Sequence, residues 1–216
     1  MFTGIIEEKG KILQIDYISR QATRLKIEAP TILEDAHIGD SIAINGVCLT
    51  VTKQTETAFD VDIMPETIQA TSLQSLQIGS VVNLERAMPA NGRFGGHFVS
   101  GHVDATGRLI RKTPKENAIY YEIQYPDHCK AFFTMRGSVA IDGISLTIFA
   151  VSERSFTVSL IPHTQSETNL GEKDVGDIVN IEGDMLIKHV SHLLQFTPSE
   201  REQTLNLETL KENGFM

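Results

Sequence analysis

Short runs along the first half of the chain alternate between apolar and polar residues. Gly10-Lys11-Ile12-Leu13-Gln14-Ile15 and Thr23-Arg24-Leu25-Lys26-Ile27 read this way, as do Phe59-Asp60-Val61-Asp62-Ile63 and Val81-Val82-Asn83-Leu84-Glu85. A period of two is the pattern of a half-buried strand. Residues 41–44 and 47–52 flank Asn45-Gly46, a dipeptide that takes the positive φ values of a tight hairpin turn. Some six strands in under about a hundred residues is the density of a small antiparallel barrel. Pro65-Glu66-Thr67-Ile68-Gln69-Ala70 puts proline at a first helical position with an acid behind it, which predicts a short helix. Residues 30–36 predict another turn or two. The second half follows the same plan, with strands expected over 120–124, 138–141, 144–151, 156–161 and 178–182.

The two halves are copies. Ile44-Asn45-Gly46-Val47-Cys48-Leu49-Thr50 recurs as Ile141-Asp142-Gly143-Ile144-Ser145-Leu146-Thr147, displaced by 97 residues (143 − 46 = 97). Phe2-Thr3-Gly4-Ile5-Ile6-Glu7 falls on Val99-Ser100-Gly101-His102-Val103-Asp104, and Met64-Pro65-Glu66-Thr67 on Ile161-Pro162-His163-Thr164. Gly79, Asn83 and Glu85 fall on Gly176, Asn180 and Glu182, again without insertion or deletion. A unit this long is no solenoid repeat; it is a duplicated domain. The expected fold class is all-β, with two tandem six-stranded antiparallel barrels. The first covers residues 1–97 with its linker and the second residues 98–185. In the linker, Met88-Pro89-Ala90-Asn91-Gly92-Arg93-Phe94-Gly95-Gly96-His97, Arg93 and Phe94 point to packing against something.

After Asp184 the period changes. Leu186, Ile187, Val190, Leu193 and Leu194 recur at helical spacing and predict one apolar stripe, ended by Pro198. Residues 204–212 predict a shorter second helix. This tail, 186–216, has no counterpart in the first repeat. Its stripe is buried either on another subunit, the favoured reading, or on its own barrel.

Charge and cysteine count narrow the partners. A net charge of −9 argues against nucleic acid or an anionic membrane surface, because phosphate binding needs a basic face. Cys48 and Cys129 are not repeat equivalents, so they read as two free thiols in a reducing compartment. No signal peptide is visible at the N-terminus, and no apolar run approaches the roughly 18 residues of a membrane span. The expectation is a cytoplasmic protein.

Phosphate-binding fingerprints are absent, and the seven histidines form no metal set with the right spacing, His189 and His192 included. The informative residues are those the duplication kept and those it changed. Gly4/Gly101, Ser41/Ser138, Leu49/Leu146, Thr50/Thr147, Pro65/Pro162 and Thr67/Thr164 were kept. Such residues line a pocket offering hydrogen bonds to a flat polar ring, or they serve turns and core. The two readings are balanced for the threonines, while turn or core is the better reading of Gly46/Gly143, Leu49/Leu146 and Gly79/Gly176. The changes are asymmetric: Ile5 becomes His102, Cys48 becomes Ser145, Glu66 becomes His163 and Ala87 becomes Asp184. Histidine suits proton transfer near neutrality. Cys48 is either a nucleophile or a small buried thiol.

These motifs, with Gly95-Gly96-His97-Phe98-Val99-Ser100-Gly101-His102-Val103-Asp104, closely resemble the lumazine-binding repeat family of riboflavin synthase alpha chains. The likeness covers nearly the whole chain. It implies two Greek-key barrels and a C-terminal helix that assembles a homotrimer. The implied reaction converts two molecules of 6,7-dimethyl-8-ribityllumazine to riboflavin and 5-amino-6-(D-ribitylamino)uracil, by transfer of a four-carbon unit and without metal or cofactor. The implied first-barrel pocket is Gly4, Ile5 and Ile6, with Cys48, Leu49 and Thr50, and Asp62, Ile63, Met64, Pro65, Glu66 and Thr67. The implied second pocket is Gly101, His102 and Val103, with Arg136, Ser145, Leu146 and Thr147, and Leu160, Ile161, Pro162, His163, Thr164 and Gln165. In the family the first barrel's pocket faces the second barrel's pocket of a neighbouring subunit. Ser41, Cys48, His102, Thr147 and Asp184 match positions implicated in the chemistry. Arg136 stands where relatives have lysine, and its fixed charge makes it unsuited to proton transfer.

The main rival is a non-catalytic lumazine- or flavin-binding antenna protein. One good pocket suffices for a binder, whereas here Ser145-Leu146-Thr147 and His102 are intact. A reductase's flavin-binding barrel would be followed by a nucleotide-binding domain, which this chain lacks. The tail Glu212-Asn213-Gly214-Phe215 looks like that of relatives enclosed in a lumazine synthase capsid.

Overall fold

The computed structural model describes residues 1–19, 22–196, 210, 211 and 214. Strands β1 (Glu8–Ser19), β2 (Ala22–Glu28), β3 (Ser41–Ile44), β4 (Val47–Gln54), β5 (Ala58–Ile63) and β6 (Val81–Arg86) close into a barrel in the order β1-β2-β5-β4-β3-β6. Strands β7 (Ala105–Lys115), β8 (Ala118–Gln124), β9 (Ser138–Ile141), β10 (Ile144–Val151), β11 (Ser155–Leu160) and β12 (Ile178–Gly183) close into a second barrel of the same order. In each, three successive hairpin strands are followed by one that returns beside the first, which is a Greek key. Closure leaves no sheet edge for stray pairing. Helices α1 (Pro65–Ala70) and α2 (Pro162–Glu167) open on proline as the sequence predicts. Residues 30–36 provide a single 3-10 turn, Ile32–Glu34.

Alternation decides which way each side chain points. Ile12, Leu25, Ile27, Val51, Phe59, Val61 and Ile63 fill the first barrel, and Leu109, Tyr121, Ile123, Ile148, Phe156, Val158 and Leu160 the second. Their neighbours Thr50, Asp62, Thr147 and Ser159 therefore lie on the outer walls. The hairpin turns have the anticipated left-handed backbone, with φ of 48° and 77° at Asn45 and Gly46 and 45° and 81° at Asp142 and Gly143.

The 97-residue displacement is not uniform. Ile63 pairs with Thr23 and Leu160 with Ile119, so β11 follows β5 by 97 (160 − 63) but β8 follows β2 by 96 (119 − 23). β1 carries register shifts at Ile12/Gln14 and at Tyr17/Ser19, whereas β7 has one, at Leu109/Arg111. The extra bulge absorbs one residue. The longer 3-10 turn Asp127–Phe132 restores the offset before β9.

The barrels meet through reciprocal contacts about a pseudo-two-fold axis. Phe2 N donates to Val99 O (2.8 Å) and Val99 N to Phe2 O (3.2 Å). Phe2 and Val99 are buried there with Ala43 and Ala140. A polar layer follows. Asn83 Nδ2 donates to Asp142 O at 2.9 Å, and Asn180 Nδ2 to Asn45 O at 2.8 Å. Asn83 Oδ1 accepts from Asn169 N and Asn180 Oδ1 from Ser72 N, both at 2.7 Å. All these asparagines are buried, so the network acts as a register lock that only one docking satisfies.

Helix α3 (Met185–Phe196) leans on the turn Asp127–Phe132, and Lys188 Nζ donates to both Asp104 carboxylate oxygens at 2.9 and 3.0 Å. That docking takes Ile187 and Lys188. Leu186, Val190, Leu193 and Leu194 each remain more than half exposed. Pro198 and nearly all of 204–212 lie outside the described residues, as do Glu212, Asn213 and Phe215.

Replacing Asn180 with Ala strips Asn45 O and Ser72 N of their partner across the interface. Each orphaned group should cost about 1–3 kcal/mol, read as a lower urea midpoint. An unchanged midpoint would show that the layer does not hold the barrels together.

Candidate active site

The site residues gather in two outward-facing clusters, and each is built from both repeats. Cys48 N donates to Gly101 O at 2.9 Å, and Ser145 N donates to Gly4 O at 2.8 Å. A Cβ on Gly101 would sit 2.6 Å from Cys48 Cβ, and one on Gly4 2.6 Å from Ser145 Cβ. Both glycines have left-handed φ, 81° and 79°, so a side chain is excluded twice over. Val103 packs on the first barrel's core and Ile6 on the second's. The grouping expected from sequence, which joined residues 4–6 to 48–50 and 101–103 to 145–147, is thus exchanged. A pseudo-two-fold allows this because a segment can cross the axis without altering the repeat.

The first cluster places Cys48 and Thr50 on the outer face of β4. Ser41 pairs with Thr50 in the ladder, so the two side chains are cross-strand neighbours. His102, exposed, follows Gly101 onto this wall. Asp62 belongs to the same face, where Arg24 Nε and Nη2 reach Oδ1 and Oδ2 at 2.7 and 2.9 Å. The guanidinium holds the Asp62 carboxyl below the usual carboxylate range. Met64, exposed, precedes α1, which carries Pro65, Glu66 and Thr67. Leu49 and Ile63 turn their side chains into the core.

The second cluster has the same frame and different walls. Thr147 lines a cavity of about 360 Å³ with Met135, Arg136, Ile148, Phe149 and Ser159. The ladder position of the Arg24–Asp62 pair is held here by Tyr120 and Ser159, and Phe149 meets the Tyr120 ring edge-on at 5.1 Å. Arg136 has φ of 67°, where the first repeat has Gly39 at 97°. A left-handed non-glycine residue costs about 1–3 kcal/mol, so its side chain has been kept against backbone preference. Ile161 is exposed ahead of α2, whose first residues are Pro162, His163 and Thr164; Gln165 Nε2 holds Leu160 O at 2.9 Å. The Leu146 and Leu160 side chains pack with the second core.

His97 escaped the sequence reading. It is buried, and its Nδ1 lies 2.7 Å from Ser145 Oγ. Burial pushes its imidazole below the ordinary histidine range, against an upward pull from Asp184. His97 Nε2 has no partner among the described residues. Asp184 caps α3, its Oδ1 accepting from Leu186 N at 2.9 Å. Ser145, His97 and Asp184 thus belong to one neighbourhood with donors, acceptors and a poised ring. The linker borders it: Ile5, Gly92 and Arg93 line a cavity of about 380 Å³ with Thr3 and Glu85, and Phe94 meets Phe98 at 4.6 Å. Of the two thiols, Cys129 is buried and pushed up to about 11, whereas Cys48 is partly exposed.

The lumazine binding domain family matches the chain twice, over residues 3–87 and 100–184. A riboflavin synthase of Bacillus subtilis is 52% identical over 216 residues, covering all of both chains. One of Actinobacillus pleuropneumoniae is 50% identical over the same span. Among solved structures, LumP complexed with riboflavin superposes with a TM-score of 0.78 at 27% identity, covering 85% of this chain and 99% of that one. LumP complexed with 6,7-dimethyl-8-(1'-D-ribityl) lumazine gives 0.76 at 26%, with the same coverage.

An NMR titration of the His97 ring should give a midpoint below the ordinary value of about 6.5. The sign follows from linkage: above the unfolded value both states are neutral and the full stability is present. As pH falls from the unfolded value to the lower folded-state midpoint, protonation of the unfolded chain erodes that stability, and below that midpoint the loss is complete. A midpoint at or above the ordinary value would contradict the burial argument.

Proposed function

We propose, for a chain that belongs to the lumazine binding domain family and acts as a riboflavin synthase, that each reaction centre joins the Cys48 cluster of one copy to the Ser145 cluster of another. The observation that carries the reading is that both clusters are kept on equivalent frames while their titratable groups differ. A reaction between two molecules of the same substrate needs that combination. Two 6,7-dimethyl-8-ribityllumazine molecules yield riboflavin and 5-amino-6-(D-ribitylamino)uracil, one giving up a four-carbon unit and the other accepting it. Because one substrate supplies what the other takes, the reaction is a dismutation.

The clusters divide the work. On one side His102, Cys48 and Ser41 stand around the Gly101 segment. On the other stand Thr147, Asp184, Arg136 and the His97–Ser145 pair, with Ser145 N bonded to Gly4 O. Loss of a proton from the donor's C7 methyl and stabilisation of an adduct on the acceptor are shared among these groups. Holding the two rings face to face removes roughly 7–11 kcal/mol of barrier by orientation alone. A pure binder has no need of two pockets, and the full-length relatives are enzymes, so the antenna reading is the weaker one.

Joining clusters from different copies requires an assembly, and α3 supplies the means. Its largely exposed apolar residues Leu186, Val190 and Leu194 suit helix-to-helix burial between copies, with a homotrimer as the assembly. A cytoplasmic location and a surrounding lumazine synthase capsid belong to the same proposal.

Purified protein given 6,7-dimethyl-8-ribityllumazine alone should form one riboflavin for every two substrates consumed; binding without turnover would restore the antenna reading. Replacing Val190 and Leu193 with Asp should reduce the particle from three chains to one in analytical ultracentrifugation. Turnover should fall by about a hundredfold or more as the paired geometry is lost, with riboflavin binding retained. A fully active single chain would sink the proposal that copies share a site.

A further inference from the structure

Each barrel holds a buried carboxylate on its last strand that grips the segment crossing to the other barrel. Glu85 Oε1 accepts from Thr3 N at 2.7 Å and Thr3 Oγ1 at 3.0 Å, and Oε2 from Gly4 N at 3.0 Å. Glu182 repeats this, with Ser100 N at 2.7 Å and Ser100 Oγ at 2.6 Å on Oε1 and Gly101 N at 3.0 Å on Oε2. The gripped segments then hand their carbonyls across the axis: Gly4 O to Ser145 N and Gly101 O to Cys48 N. A first-barrel carboxylate therefore fixes backbone at Ser145, and a second-barrel carboxylate fixes backbone at Cys48.

We propose that Glu85 and Glu182 are cross-barrel positioning residues, Glu85 setting the pocket at Ser145 and Glu182 the pocket at Cys48. The proposal rests on reading those two clusters as the substrate pockets. An ionised carboxylate is an acceptor only, with room for several donors, and its bonds to N–H are about twice as strong as neutral ones. Glutamine keeps the volume but turns an NH2 towards backbone N–H groups, so the grip is lost while the strand stays filled. The lesion then appears in the opposite barrel.

Cys48 is a local reporter. It is partly exposed, while Cys129 is buried with its thiol pushed up, so alkylation of the native protein by iodoacetamide reads Cys48. In the full chain, Glu182→Gln should raise the riboflavin concentration that half-protects Cys48 by about tenfold, a loss comparable to one strong hydrogen bond. Glu85→Gln should leave that protection within about twofold and lower turnover by about tenfold. Glu85→Asp and Glu182→Asp, which keep the charge and shorten its reach, should show the same selectivity more weakly if a glutamine variant does not fold. Equal effects of the two positions on Cys48, or none from Glu182, would overturn the proposal. If riboflavin fails to protect wild-type Cys48, the substrate-pocket reading is at fault. The unliganded alkylation rate still decides the positioning claim, since Glu182→Gln should change it by about threefold and Glu85→Gln should not.

Discussion

Phe2 and Val99 donate to each other's carbonyls across the pseudo-two-fold axis, and the placement of both residue clusters depends on that pair of hydrogen bonds. From it the chain runs two residues further in each repeat, to Gly4 and Gly101, before bonding to the opposite barrel. Neither cluster therefore belongs to one domain. The apolar contact of Phe2, Val99, Ala43 and Ala140 and the buried asparagine layer hold the barrels in the register that this exchange needs. Burying these asparagine amides is tolerable because each finds partners in one arrangement; any slip would orphan them at once.

Small closed barrels fill their interiors with side chains, so a ring-sized ligand must go elsewhere. Here the strand period fills both interiors. Val51, Val61, Ile148 and Val158 point in, and the hydroxyls and carboxylate that alternate with them point out. The crossing segments and the helices α1 and α2 then border those walls. Exposed Ile5, Met64, Phe149 and Ile161 supply the apolar surface that a flat ring can cover.

Much of this was legible in the sequence. Strand alternation, the Asn-Gly and Asp-Gly turns, the duplication and the proline-led helices follow from local periodicity and backbone preference. The exchange of residues 4–6 and 101–103 was not, because copies related by a two-fold look alike whether a segment stays or crosses. His97 was missed for a related reason: its equivalent would precede Met1, so comparing the repeats had nothing to set it against. The 96-residue offset of β8 was hidden by a bulge in β1 and a longer 3-10 turn that cancel. Arg136 could be read as a cation, but not its left-handed backbone, which depends on the turn into β9. Glu85 and Glu182 were visible as a kept pair without a reason, since most of their donors are backbone groups with no signature of their own.

Once the shared frame is subtracted, the outer walls of the two barrels carry a marked asymmetry. An ion pair, Arg24–Asp62, stands where the other barrel has Tyr120 and Ser159. A thiol stands where the other has a hydroxyl held by a buried imidazole. A glycine stands where the other keeps an arginine in a costly conformation. Two identical substrates on a symmetric frame would be equivalent, and a transfer between equivalents has no direction. In the proposed centre, differences of charge and proton affinity at the two rings supply one, while the frame keeps their mutual register. On that proposal the duplication provides the geometry, and the divergence of a few outward-facing residues provides the chemistry.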